Sequence, residues 1–310
     1  MKKILITSVL LFVAFALFFS CSDENLADTG TTTLYDTQLQ FKSVTVFNNR
    51  PESGKGTITE FVNGDTIGLY LHEYYRGNPF PYTARERYGW YLPEPIFLGS
   101  NPMRIMAYYP YMHSKHAYLW NIYLDVEHIS QTDYMHGQVG GGYVSREHSY
   151  ADIVMWHVLT LVQFKFIKNE YPHDCSVQKV SIQNADGITH LKSKGILNVE
   201  SGEVKPSDGY YDQAVIIPED MNFYEPYTSE EEYPRILVMP IEPVKNDGDL
   251  FFEFEIDGQI YTYPLKAGTH WQSGMKYTYQ VEMVSGARTL KSSGKSIDIS
   301  AVLTQISSYE

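Results

Sequence analysis

An all-β fold, arranged as two tandem β-sandwiches behind an N-terminal signal segment, is what this sequence of 310 residues predicts. Three observations carry that expectation. Apolar and polar residues alternate with period two in segment after segment, whereas no stretch of helical period exceeds about two turns. Turn-forming pairs such as Asp257-Gly258 separate the alternating segments. The composition is aromatic, with 26 Tyr, 15 Phe and 4 Trp, and such side chains favour pleated sheets. At roughly 100–200 residues per domain, the length calls for two domains.

The chain opens on a basic Met1-Lys2-Lys3, followed by an apolar run over 4–19 and then Ser20-Cys21. A run of sixteen residues is short for a membrane span, which needs about 20. The anatomy is that of a secretory signal. Phe18-Phe19-Ser20-Cys21 resembles a bacterial lipobox, with Phe18 in place of the usual Leu. Cleavage before Cys21 would leave that residue lipidated; a plain signal peptide with an incidental cysteine, or a short anchor helix, is the alternative. The acidic Ser22-Asp23-Glu24 that follows resembles a surface-export signal, and 21–35 reads as a small-residue tether. The expected organisation is therefore a signal over 1–20, the tether, an N-terminal sandwich over 36–151 and a C-terminal sandwich over 152–310.

The strands follow in order. Val44 and Val46 alternate with Ser43 and Thr45 in a first strand over 39–47. Tyr118, Trp120, Ile122, Leu124 and Val126 form one face of a continuous strand. Residues 130–150 lack alternation, carry Gly140-Gly141-Gly142, and read as a long loop leading to the domain boundary. Val162, Phe164 and Phe166 alternate with Gln163 and Lys165, and Phe252, Phe254 and Ile256 with Glu253 and Glu255. Each pattern places one face in a core and the other in water. Asp257-Gly258 should close a tight hairpin, and Glu200-Ser201-Gly202 should turn the segment 196–199 back on itself. The stretch 219–234 is acidic and irregular.

Charge and motif exclude several functions. With 24 Lys and Arg against 37 Asp and Glu the net charge is −13, opposite to what a nucleic-acid partner requires. The two cysteines, Cys21 and Cys175, support neither a disulfide framework nor a thiolate zinc site. Seven of the ten histidines fall between His113 and His173, but His113 and His116 sit three apart and would point to opposite faces of a strand. No metal site is expected there. Gly140-Gly141-Gly142 lacks the Lys-Ser/Thr of a phosphate cradle, and no Gly-x-Ser-x-Gly elbow occurs. Glu253 and Glu255 read as the wet face of a strand rather than as paired catalytic acids. Tyr108-Tyr109-Pro110-Tyr111 and Tyr88-Gly89-Trp90-Tyr91 have the ring density of a sugar-stacking platform, although alternating aromatics more often pack a core. No catalytic residue and no cofactor is expected.

Seven signposts in order, spanning about 41 to 284, resemble the fimbrillin-like family, the lipoproteins that build or anchor type V pili of Bacteroides-type anaerobes. They are 61–70 (FVNGDTIGLY), Trp90 with Pro95-Ile96-Phe97-Leu98, 106–111 (MAYYPY), 133–137 (DYMHG), 156–164 (WHVLTLVQF), Gly195-Ile196-Leu197 with Ser201-Gly202-Glu203-Val204, and Trp271-x-x-Gly274-x-x-Tyr277-x-Tyr279. The resemblance implies transthyretin-like sandwiches, adhesion rather than catalysis, and assembly by strand exchange. A trypsin-like protease cuts after the first strand, that strand leaves, and a partner's C-terminal strand fills the groove. Carried onto this chain, the cut would fall at Arg50. Pro51 follows it and resists such proteases, so Lys55 and Arg76 are the fallback sites. An uncut chain would keep its lipid and serve as an anchor. The donor strand would hold Ile297, Ile299 and Val302, residues that equally suit the domain's own last strand. The expected partners are other pilus subunits, the outer membrane through the lipid on Cys21, and the surface receptor that adhesion calls for. The rival reading is a glycan-binding outer-membrane lipoprotein beside a polysaccharide importer.

Overall fold

The computed structural model describes residues 37–47, 58, 60–71, 80–85, 89–112, 117–118, 120–126, 131–167, 176–207, 213–216, 233–285 and 297–308. Among them there is no helix. The first eleven strands are β1 (Thr37–Gln38), β2 (Gln40–Val46), β3 (Thr66–Leu71), β4 (Phe80–Arg85), β5 (Gly89–Tyr91), β6 (Phe97–Leu98), β7 (Ile105–Tyr109), β8 (Ala117–Tyr118), β9 (Asn121–Asp125), β10 (Met135–Val139) and β11 (Tyr150–His157). Ten follow: β12 (Thr160–Ile167), β13 (Val177–Asn184), β14 (Lys194–Asn198), β15 (Val204–Pro206), β16 (Gln213–Ile216), β17 (Arg235–Val238), β18 (Leu250–Ile256), β19 (Gln259–Pro264), β20 (Met275–Ser285) and β21 (Ile297–Ser308). All of these strands fall within the contact unit Tyr35–Glu310.

A seven-stranded sheet in the order β2-β11-β10-β7-β3-β4-β5 curls until its two edge strands, β2 and β5, come into contact. Inside the curl lies a core that includes Val44, Ile67, Leu69, Ile105, Met135 and Ile153. Two four-stranded sheets, β17-β12-β20-β21 and β16-β13-β18-β19, face each other over a second core built on Phe164, Phe166, Phe252, Phe254 and Trp271. The rings of that core meet edge to face, Phe164 on Phe252 at 4.9 Å and Phe166 on Phe254 at 5.3 Å, the packing their quadrupoles favour.

A third layer joins the two halves. The sheet β15-β14-β9-β8 pairs a hairpin from the later half with strands from the earlier one, Leu197 opposite Ile122. Its core takes Tyr70, Met106 and Tyr108 from the outer face of the seven-stranded sheet, and Leu161 and Leu237 from β12 and β17. The boundary expected after Ala151 falls inside β11, whose last residue His157 still pairs with Met135. The chain crosses to the second pair of sheets at Val158 and Leu159, both buried.

Three local expectations need correction. The strand expected through Trp120 is a hairpin, β8 to β9, with Trp120 at φ 68°. A left-handed tryptophan is costly, and its ring packs at a tilt on Tyr70 at 5.2 Å while its carbonyl accepts the Val199 N–H at 2.7 Å. The loop expected over 130–150 contains β10. Its alternation is disguised by Gly137, which fills a core-facing position because a Cβ there would meet Met155 Sδ and the Val154 carbonyl. The wet face expected for Gln163 is dry: β12 is covered on both sides at its start, and Gln163 donates to Thr278 Oγ1 at 2.8 Å. The turns are as expected. Asp257 and Gly258 take φ 49° and 72°, the two left-handed residues of a type I′ hairpin. Asn198 Oδ1 caps the Glu200 and Ser201 N–H groups, each at 3.0 Å, before Gly202 at φ 73°. The irregular stretch 219–234 lies almost wholly outside the described residues.

Candidate functional site

The first strand is the stave that closes the curled sheet. β2 runs parallel to β11, Val44 opposite Ile153 and Val46 opposite Met155, and hydrogen-bonds to no other strand among those described. Leu39, just before it, and Val44 are buried, and Phe41 and Val46 pack half-buried on the same core. Its ends are tied down: the Leu39 N–H donates to the Ile96 carbonyl at 2.8 Å, and the Phe47 N–H to the Met155 carbonyl at 2.7 Å. Outside, Ser43 Oγ donates to Asp152 Oδ1 at 2.6 Å, Lys42 lies 4.8 Å over the Tyr150 ring, and Phe47 leans on Trp156 at 5.9 Å. These outer contacts are exposed and contribute little. Hydrophobic cover and one parallel ladder hold β2 in place.

Asp133 anchors the chain where it returns after the first strand. One carboxylate oxygen accepts the Ile58 N–H at 2.9 Å, and the carboxylate also meets His157 Nδ1 at 3.0 Å. Both Asp133 and His157 are buried. Asp65 does the same one turn on, accepting the Val62 N–H at 2.7 Å and the Tyr109 hydroxyl at 3.2 Å. Burial, then the Asp65 charge, pushes the Tyr109 hydroxyl up to about 12.

At the other end of the chain, Ile297, Ile299 and Val302 lie on β21, set against Ser285, Met283 and Gln280 of β20. Here β21 is the outermost strand of its own sheet. Cys21, Arg50, Lys55, Arg76 and Cys175 lie outside the described residues, as do His113, His116, His128 and His173. Among the described residues no three His, Cys, Asp or Glu side chains come together as a metal would require. His136 packs on Trp156 at 5.6 Å, under the turn at Gly202, where a Cβ would strike its ring. Burial holds its imidazole below the ordinary range. Tyr108 is buried and donates to the Met112 carbonyl at 3.1 Å, and Trp90 meets Phe61 edge-on, so these two rings pack against the core, whereas Tyr91 is exposed.

A family model described as fimbrillin-like matches residues 51–298. The chain belongs to the fimbrillin-like family. Its fold is similar to that of a putative cell adhesion protein of Bacteroides ovatus, at 15% identity over 89% of this chain and 98% of that one, with a TM-score of 0.60. A putative cell adhesion protein of Bacteroides uniformis is similar at 16% identity over 88% and 99%, with a TM-score of 0.58. A fimbrial protein of Bacteroides vulgatus is similar at 13% identity over 89% and 100%, with a TM-score of 0.51. No protein of curated function matches.

The last motif of this fimbrillin-like chain has a physical basis in the crossover. Trp271 is fully buried and its indole N–H donates to Tyr279 Oη at 3.0 Å. Tyr277 Oη accepts the Gln272 N–H at 3.0 Å. Gly274 sits at φ 68°, its N–H donates to the Leu159 carbonyl at 2.9 Å, and a Cβ would stand 3.0 Å from the His157 carbonyl. Ser273 Oγ donates to the Val158 carbonyl at 2.7 Å and Thr160 Oγ1 to the Gln272 carbonyl at 2.8 Å. The motif clasps the segment that joins the two halves. Nothing in the local pattern around 157–160 announces this, since its partner lies more than 110 residues further on.

Proposed function

We propose that this chain is a lipid-anchored, surface-exposed subunit or anchor of a fimbrium, assembled by donor-strand exchange and serving adhesion. The observation that carries the reading is β2, a strand that covers the N-terminal core and is ladder-bonded on one side alone. Leu39 and Val44 are buried and Phe41 and Val46 half-buried, which amounts to roughly 5–9 kcal/mol of apolar cover. Loss of β2 bares those core contacts and the edge of β11, and an incoming strand regains them. Arg50 and Lys55 follow β2 within a few residues, where a protease would free it. The incoming strand is the segment that holds Ile297, Ile299 and Val302 in another subunit, and the lipid on Cys21 ties the chain to the outer membrane until it is cut. Family membership and the fold shared with Bacteroides adhesion and fimbrial proteins support this reading.

Limited trypsin treatment of residues 22–310 tests it. The first nick should fall between 50 and 76, with Lys55 ahead of Arg50 because Pro51 shields the latter. Assemblies larger than a dimer should form only after the nick and should vanish when 296–310 is deleted. Nicked protein with an intact tail that forms nothing larger than a dimer at high concentration overturns the polymerising role.

A further inference from the structure

The longest strand described, β21, is an edge strand of twelve residues, IDISAVLTQISS. Soluble proteins protect such edges with lysine, proline or inward charge, because a bare row of N–H and C=O groups recruits another strand. Here the sequence holds no Lys, Arg or Pro, and Asp298 is its one charge. A bulge opposite Thr278 and Tyr279 changes the alternation, so that Leu303, opposite Tyr279, and Ile306, opposite Tyr277, share the face turned toward the core. Yet Leu303 is 40% and Ile306 53% exposed.

The reason is a cleft of about 590 Å³ between β21 and β19, the edge of the facing sheet. Leu265, Tyr263, Tyr277 and Tyr279 line it together with Ala301, Leu303 and Ile306. On its rim, Lys266 is engaged by Asp247 at 2.9 Å. This side of the sandwich therefore combines an unpaired edge with core-facing apolar residues that nothing described covers.

We propose that β21 pairs edge to edge, antiparallel, with β21 of a second copy of this chain. Charge selects the place where two copies can meet. The chain as a whole is at −13, so copies repel one another over most of their surface, and β21 is a strip with a single carboxylate. An antiparallel strand is also complementary to itself. A two-fold axis through Leu303 sets Leu303 on its own mate and Asp298 opposite Ser308, so the one carboxylate meets a hydroxyl rather than its copy. Such a contact is isologous and closed. It continues each four-stranded sheet into an eight-stranded one and brings the two half-open clefts together, so that each copy's Leu303 shields the other's. The pairing does not depend on strand exchange. Where exchange also operates, a β21 held by its copy is withheld from donation.

Sedimentation equilibrium of residues 22–310, across a range of protein concentration, reads the pairing directly. The core of this segment is self-contained, because every sheet and every buried cluster among the described residues lies within it. The mass should rise to twice that of the monomer. Gln305→Lys, an edge charge at an exposed site, should weaken association at least tenfold while leaving the circular dichroism melt of the dilute, monomeric protein unchanged. In a Cys175→Ser background, Gln305→Cys, four residues along the strand from its copy in this register, should join to it through a bismaleimide that spans about 14 Å, whereas Ile260→Cys on the β19 edge should not. A protein that stays monomeric up to its solubility limit overturns the proposal. So does a dimer that neither weakens with Gln305→Lys nor cross-links at position 305.

Discussion

Replacing Tyr279 with Phe removes one oxygen from the C-terminal core and tests what the closing motif is for. The Trp271 indole N–H donates to that oxygen at 3.0 Å, and the indole is fully buried, stacked 6.3 Å from Phe252. Burial holds the Tyr279 hydroxyl far above its ordinary range, so it is a neutral acceptor at every working pH. Phe keeps the ring and its contacts with Phe164 and Phe252. The cost is then that of a buried donor left without a partner, about 1–3 kcal/mol. For a chain of this size each kcal/mol moves the melting midpoint by about 2–4 °C. Tyr277→Phe is the matched control. Its hydroxyl accepts a backbone N–H at the half-buried turn of Gln272, where water can take its place, so its loss should stay below about 1 kcal/mol. Urea unfolding of both variants, at unchanged denaturant slope, measures the difference. Equal losses, or less than about 0.5 kcal/mol for Tyr279→Phe, would refute the claim that the Trp271–Tyr279 bond is the buried tie.

Gly274→Ala should destabilise the chain by about 1–3 kcal/mol in the same assay, since it strains φ 68° and places a Cβ 3.0 Å from the His157 carbonyl. His136 should make stability pH-dependent. Burial lowers its folded pKa below 6.5, so the unfolded chain takes up a proton first as pH falls. Stability should drop from pH 6.5 downward until the folded imidazole also titrates, and His136→Gln should flatten that slope in melts recorded across the window. Cys21→Ala should abolish incorporation of labelled palmitate in cells, and equal labelling of the variant would remove the lipid anchor from the proposal.

Strand content was legible because burial on one face of a pleat writes itself as period two. β18 is the plain case: Leu250, Phe252, Phe254 and Ile256 are buried, and Glu253 and Glu255 are not. The first strand was legible for the same reason, and so was the hairpin at Asp257-Gly258. β10 was not, because its core position 137 must be glycine, and a missing side chain leaves no apolar mark. The turn at Trp120 was not, because the ring that makes a left-handed tryptophan tolerable, Tyr70, sits 50 residues earlier in the chain. Asp133 was quoted only as part of a motif. Its role in receiving Ile58 and His157 depends on three segments meeting, which no local spacing encodes.

By itself the sequence determined that the chain is all-β, that its strands carry one apolar face for a core, and that it carries the ordered signposts of a fimbrillin-like protein. These follow from short-range rules: alternation, turn chemistry and composition act over a few residues. Only the tertiary structure decided that β14 and β15 join β9 to bridge the two halves, that the closing motif clasps the crossover at 158–160, and that β2 is held by one parallel ladder. A strand's own residues specify which face is apolar, but not which strand lies beside it. That choice is made when distant faces bury one another, and here it set the first strand at the edge of its sheet.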